Sequence, residues 1–251
     1  MTQHDMKHGR EFLKDSIRVA YDFSKTDQAL GRPRPPVEKP SDPKATKIKL
    51  ISSEGLQEIP KVDVLTAISR RVSHRRFKAT PLSLPELSFL LWATQGIRPS
   101  RDKDPTCRTV PSAGARHALE TYVFALNVDG VPPAVYRYLP VEHELLHEFT
   151  DTEVKDRLNV ACLGQSFVSG SAAVFVWTTI PYRMEWRYGP SAHRVILLDA
   201  GHVCQNLYIA CEAIGAGTCA VGAYDQHRMD ELLRLDGENE FVVYLAPVGK
   251  V

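Results

Sequence analysis

Short unbroken apolar runs and amphipathic stretches succeed one another along this chain, and the two rhythms predict buried strands mixed with helices. Residues 119–127 and 172–179 are apolar and rich in β-branched side chains, as in strands covered on both faces. Asp129-Gly130 marks a turn into a strand over 134–138, and a further strand near 145–149 completes a meander. Helical spacing recurs in Phe12, Leu13, Ile17, Ala20 and Phe23, and over 62–71 and 154–163. The sharpest local signal is Ser83-Leu84-Pro85-Glu86, a capping box in which the serine hydroxyl serves the N3 amide and the glutamate reaches back to the cap amide. Leu82 and Leu87 occupy the two positions of a hydrophobic staple, and Leu87, Leu90, Leu91 and Thr94 hold one face until Gly96 ends the helix. Residues 194–214 read as a long helix with apolar side chains on nearly every side. It must be covered on most faces, as a central helix or at a subunit interface. Gly215 and Gly217 end it, 218–221 returns as a strand, and a short helix over 226–233 precedes a last strand over 240–246. Hairpin-joined strands mixed with long helices make the fold α+β.

Between residues 31 and 47 stand five prolines and no apolar periodicity, which predicts an extended arm, loosely tethered or laid over a partner surface. The chain divides accordingly into an N-terminal helix with its proline-rich arm, 1–47, and a globular domain, 48–251.

Composition narrows the function. A chain of 251 residues with 43% hydrophobic and 24% charged residues suits a soluble globular protein able to bury a core. Its formal charge of +1 argues against nucleic-acid neutralisation as its task. No apolar run approaches the roughly 18 residues of a membrane span, and Met1-Thr2-Gln3-His4-Asp5 does not open a secretory signal. The five cysteines are odd in number and lack a C-x-x-C pair, which points to free thiols in a reducing cytoplasm. His143 and His147 have a metal-ligand spacing, but their segment reads as a strand edge without a third ligand, so no metal is expected.

Charge is concentrated in one place. Arg71-Val72-Ser73-His74-Arg75-Arg76, with Arg70 before it, gathers four guanidinium groups at the foot of a helix. The planar guanidinium fork matches phosphate, and a hydroxyl adds a neutral donor, so the cluster suits a small phosphorylated ligand; a solvated helix face explains it equally well in isolation. Pro111-Ser112-Ala113-Gly114-Ala115 is a loop of small residues that lets backbone amides approach a flat ligand, and Gly222 permits the same. Each is also readable as a plain turn. Gly215-Ala216-Gly217 closes a helix and opens a strand, the reverse of a dinucleotide fingerprint. No G-x-S-x-G is present to support a serine hydrolase.

Taken in order, Arg71-x-Ser73-x-Arg75, Pro111-Ser112-Ala113-Gly114 and Gly215-x-Gly217-Thr218-Cys219-Ala220-Val221-Gly222 resemble the nitroreductase-like superfamily of flavin mononucleotide (FMN) enzymes. Pro111-Ser112-Ala113-Gly114-Ala115-Arg116, Leu82-Ser83-Leu84-Pro85-Glu86-Leu87 and the stretch Leu198-Asp199-Ala200-Gly201-His202-Val203-Cys204-Gln205-Asn206 are similar to the SagB-type dehydrogenase branch, which contains the azoline oxidases. The resemblance runs from about residue 62 to 250. It implies a central, mostly antiparallel sheet flanked by helices, and a homodimer with FMN at the subunit interface. By position, Arg71, Ser73 and Arg75 would hold the phosphate and ribityl chain, with Lys250 as a further cation. Pro111, Ser112, Ala113 and Gly114 would line one side of the isoalloxazine, and Ala220, Val221 and Gly222 the other.

The activity implied is hydride and electron transfer through flavin N5, with NADH or NADPH as a donor and a small molecule or a peptide as substrate. One alternative is dehydrogenation of an azoline in a modified peptide. Another, of a different class, is a non-catalytic flavin-binding redox partner, motivated by the proline-rich arm. Two departures bear on this choice. Ala115 stands where broader nitroreductases often place an asparagine, and Arg187-Tyr188 aligns with the Lys-Tyr pair of the azoline oxidases. Arginine keeps its proton at working pH, so Tyr188 is the candidate proton relay, and Arg187, Arg116 and His117 are candidate substrate contacts.

Overall fold

The computed structural model describes residues 3–98 and 106–251; Met1 and Thr2 of the N-terminal segment and residues 99–105 of the domain lie outside the described residues. Helices α1 to α9 span Gln3–Leu13, Ser16–Ala20, Val64–Arg70, Leu84–Gln95, Val154–Ala161, Ser166–Ser169, Tyr182–Tyr188, Ala192–Ala213 and Gln226–Leu232. Strands β1 to β7 span Lys47–Lys49, Leu119–Ala125, Ala134–Leu139, Glu144–Phe149, Ala173–Thr179, Ala216–Thr218 and Phe241–Lys250. The strands form one sheet in the order β1-β4-β3-β2-β5-β7-β6, and every neighbouring pair is antiparallel. The fold is the expected α+β arrangement. No described helix is long and apolar enough to cross a membrane.

Strands β2 and β5 are buried along their whole length because the sheet is covered on both faces. Val123, Phe175 and Trp177 point into the cluster formed with α4 and α8, whereas Phe124, Val174 and Val176 point the other way, among residues of α5, α6 and α9. Helix α4 starts as its sequence dictates. Ser83 Oγ accepts from the Glu86 amide at 3.4 Å, Glu86 Oε2 accepts from the Ser83 amide at 2.9 Å, and Leu82 and Leu87 are fully buried.

Two expectations from the sequence are corrected. The last strand continues past Ala246 to Lys250, because residues 248–250 pair with β6. Gly249 fits there because Phe77 packs where a side chain would stand, 2.9 Å from the place a Cβ would take. Lys47–Lys49 is an edge strand on β4 rather than the end of the arm, and its flanking lysines discourage further pairing. Within this chain helix α8 is covered on one side, and its opposite stripe leaves Leu197 and Leu198 exposed.

The proline-rich arm lies over this chain's own sheet. The Lys39 amide donates to Glu120 Oε1 at 2.8 Å, Arg137 donates to the carbonyls of Lys39 and Pro40, and Arg108 donates to that of Val37. Glu38, also in the arm, has its carboxyl pushed up to about 7 by burial.

Candidate active site

Two groups of the predicted residues come together at two places on α8. The first is built around Tyr208. Its hydroxyl lies 2.9 Å from Ser73 Oγ and accepts from the Ala220 amide at 2.8 Å, and its ring lies under Arg71, 5.4 Å from the guanidinium carbon. The basic loop is fastened to the segment after α8 by a bridge between Ser73 and Thr218 and by the His74 amide donating to the Thr218 carbonyl at 2.9 Å. Arg75 lies over the Phe167 ring at 6.0 Å. Arg71 and Arg75 form no ion pair with a described carboxylate. Gly222 is exposed, and a Cβ added there would meet nothing nearer than the Tyr244 ring at 4.0 Å.

The second place is built around Asp199. Its carboxylate accepts from the Ala113 amide at 3.3 Å, and burial pushes its pKa up. Ser112 Oγ accepts from the His117 amide at 2.9 Å, closing the loop that Pro111 enters. Gly114 takes φ +57, and a Cβ there would lie 2.6 Å from the Tyr188 hydroxyl and 2.8 Å from Arg187 Nε, so glycine is what lets these side chains close over the loop. Arg116 Nε donates to the Gly114 carbonyl at 2.9 Å, and its guanidinium lies over the Trp186 ring.

Sequence reasoning passed over Tyr208 and quoted Asp199 only within the 198–206 stretch, without a role. Both belong to α8, where an acid and a tyrosine inside an apolar run read as mere interruptions. Nine residues separate them, about two and a half turns, so the two places lie on opposite faces of the helix.

Residues 68–250 match the Nitroreductase family. The chain belongs to that family. The chain is 36% identical over 200 residues to a nitroreductase-family protein of Methanocaldococcus jannaschii, covering 80% of this chain and 96% of that one. It is 29% identical over 133 residues to the trifolitoxin-processing protein TfxB of Rhizobium leguminosarum bv. trifolii, 51% of this chain and 36% of TfxB. The crystal structure of a nitroreductase from Anabaena variabilis superposes with a TM-score of 0.67 at 24% identity, over 83% of this chain but only 42% of that one. A chain of the Escherichia coli microcin synthetase McbBCD, solved with truncated pro-MccB17, superposes with a TM-score of 0.61 at 18% identity over 100% of this chain and 98% of that one. These two structures share the fold.

Three candidate residues are spoken for elsewhere. Lys250 donates to Glu86 Oε1 and, at 2.6 Å, to the Ile214 carbonyl, so its charge answers the capping glutamate and the end of α8 rather than standing free for a phosphate. Val221 is buried and pairs with Leu245, so its side chain belongs to the core. His117 is 4% exposed, with Nε2 against the Thr106 carbonyl at 2.8 Å, an unsuitable place for a substrate contact.

Burial, reinforced by the charge of Arg108, pushes the His117 pKa from 6.5 down to about 3. As pH falls through 6.5 the unfolded chain takes up this proton and the folded one does not, so stability decreases between about pH 6.5 and pH 3. Urea titrations should show the wild type losing up to about 1.4 kcal/mol per pH unit relative to His117→Gln in that window, with no pH-dependent difference above pH 7. Parallel curves through the window would remove His117 from the acid response.

Proposed function

We propose that this chain is an FMN-dependent oxidoreductase whose flavin lies where two copies meet. The observation that carries the reading is Arg71 and Arg75, two guanidinium groups without a carboxylate partner among the described residues, flanking Ser73, whose hydroxyl meets Tyr208, which also holds the Ala220 amide two residues before the open Gly222. Such a cluster on a chain of charge +1 fits a phosphate monoester, and the bare backbone at Gly222 leaves room for a flat ring. When bound, FMN supplies hydride and electron transfer through its N5 atom.

The chain's own residues then bind and orient. Arg71 and Arg75 hold the phosphate, Ser73 donates from its hydroxyl, and Tyr208 fixes both the serine and the Ala220 backbone. Across the interface, Pro111 to Gly114 would cover the ring, held in place by Asp199. The helix supports a two-copy arrangement: one chain presents these halves on opposite faces of α8, and a second copy packed along it would bring the loop of one to the arginines of the other. Exposed Leu197 and Leu198 on α8, with Val64, Leu65 and Ile68 on α3, offer the apolar surface for that packing.

Reduction of a small electron acceptor by NADH or NADPH is the reaction we favour. The likeness to TfxB supports dehydrogenation of a modified peptide as the second reading. Arg187 weighs against it, since a guanidinium does not act as a base; Tyr188 remains to carry a proton. The redox-partner alternative loses its motive, because the arm that suggested it is fastened to its own sheet. The purified protein is expected to be yellow, with bound FMN bleached rapidly by NADH or NADPH under anaerobic stopped flow. Bleaching by neither overturns the reductase reading, and failure to bind FMN at all overturns the flavin reading.

A further inference from the structure

The segment from Asp15 to Arg34 is fastened to α7 and the start of α8, and together they border an open cleft. The Gln28 amide donates to the Trp186 carbonyl at 2.9 Å, Trp186 Nε1 donates to the Arg32 carbonyl at 3.1 Å, and the Tyr182 hydroxyl donates to Asp27 at 2.7 Å. Arg194 pairs with Asp15 at 3.4 Å. The Tyr21 ring packs so closely on Gly189, at φ +50, that a Cβ there would lie 2.7 Å from it. The open cleft behind this segment holds about 600 Å³ and is lined by Arg18, Phe23 and Gln28 on one wall and by Arg187 and Tyr188 on the other.

The charges around the cleft do not cancel. Asp15 is committed to Arg18 at 2.6 Å as well as to Arg194, Asp27 is committed to Arg32 at 3.2 Å and to Tyr182, and Glu185 faces His193. Arg187 has no carboxylate partner among the described residues, and its guanidinium lies over the Tyr188 ring, with both side chains closing on Gly114. A guanidinium fork beside a phenolic hydroxyl matches a planar carboxylate, and Phe23 opposite offers an apolar wall for the body that carries it.

We propose that this cleft admits a carboxylate-bearing substrate whose carboxylate is held by Arg187, with the N-terminal segment as the wall that selects it. The proposal rests on the flavin reading only for placing the substrate beside Gly114. The carboxylate's source is a small aromatic acid or a peptide, and two matched pairs of ligands distinguish them.

Calorimetry on the full chain would compare 4-nitrobenzoate with neutral 4-nitrobenzyl alcohol, and a short peptide acid with its amide. Wild type is expected to prefer one or both acids by roughly tenfold over the neutral twin. Arg187→Ala should abolish that preference, and Arg187→Lys, which keeps the charge and loses the fork, should retain part of it. A preference confined to one pair names the source. No preference in either pair, or one unchanged in Arg187→Ala, overturns the proposal. So does an Arg187→Ala variant that binds NADPH more weakly while its carboxylate preference stands, which would assign the cleft to the nicotinamide cofactor. Because binding is read without turnover, a protein that binds no flavin yet prefers the acids would overturn the function and leave the cleft.

Discussion

Replacing both Arg71 and Arg75 with alanine is expected to yield a folded protein that purifies without FMN. A hydrogen bond to a charged group contributes about 1.5–3 kcal/mol, so each arginine should be worth roughly 10- to 100-fold in FMN affinity and the pair about 10²- to 10⁴-fold. The fold has little at stake. Arg71 is half-buried and Arg75 exposed, and their described partners are ring faces, 5.4 and 6.0 Å from the centres of Tyr208 and Phe167. Contacts of that kind at exposed sites contribute about 0.5–1 kcal/mol. The ratio of flavin to protein absorbance after purification, an FMN titration and a thermal melt separate the two effects. Stoichiometric flavin in the double variant would sink the assignment of the phosphate site. A variant that no longer melts cooperatively would place the arginines in the fold instead.

What could be read from the sequence was whatever is written locally. The capping box at Ser83 is a statement about four consecutive residues, and it stands as the chain spells it. The apolar runs of β2 and β5 announce strands with two covered faces because every position must be apolar when neither face meets water. The site is legible to the extent that its parts are short motifs: Arg71-x-Ser73-x-Arg75 and Pro111 to Gly114 lie in loops whose composition departs from their surroundings. Its organisers do not announce themselves. Tyr208 reaches Ser73 across 135 residues of chain and Asp199 reaches Ala113 across 86, and within α8 neither interrupts the helical rhythm enough to be singled out. Lys250 misleads for the opposite reason. A lysine after a strand reads as a free cation, and only the folded chain shows Glu86, at the start of α4, as the partner that takes its charge. The arm is the same kind of case, since a proline-rich stretch signals extension but not the surface it lies on.

That surface supplies the second large effect, at Glu120. Its side chain is 3% exposed, and its carboxylate accepts from Arg183 at 2.6 Å and from the Lys39 amide at 2.8 Å, with Arg137 at 3.5 Å. Arg137 and Arg183 are themselves 2% and 3% exposed. Glu120→Ala therefore leaves two buried guanidinium groups short of a counter-charge and strips one fastening from the arm. Breaking a buried ion pair in this way costs about 3–5 kcal/mol, which for a chain of this size lowers Tm by roughly 6–20 °C. Among the described residues Arg137 keeps Glu148 at 2.8 Å, whereas Arg183 keeps only the His117 carbonyl at 3.3 Å, so the loss should fall mainly on Arg183. The arm should loosen with it: Arg32, Arg34 and Lys39 each precede a proline and resist trypsin, but Lys44 precedes Ala45, and limited trypsin digestion should cut after Lys44 in Glu120→Ala well before it does in the wild type. Glu120→Gln separates charge from hydrogen bonding, because its amide oxygen still accepts from Lys39 while the charge is gone. A Glu120→Gln variant as damaged as Glu120→Ala assigns the cost to unpaired charge. A Glu120→Ala variant within about 1 kcal/mol of wild type, with the arm still resistant to trypsin, would show that the arm holds to the sheet without this carboxylate.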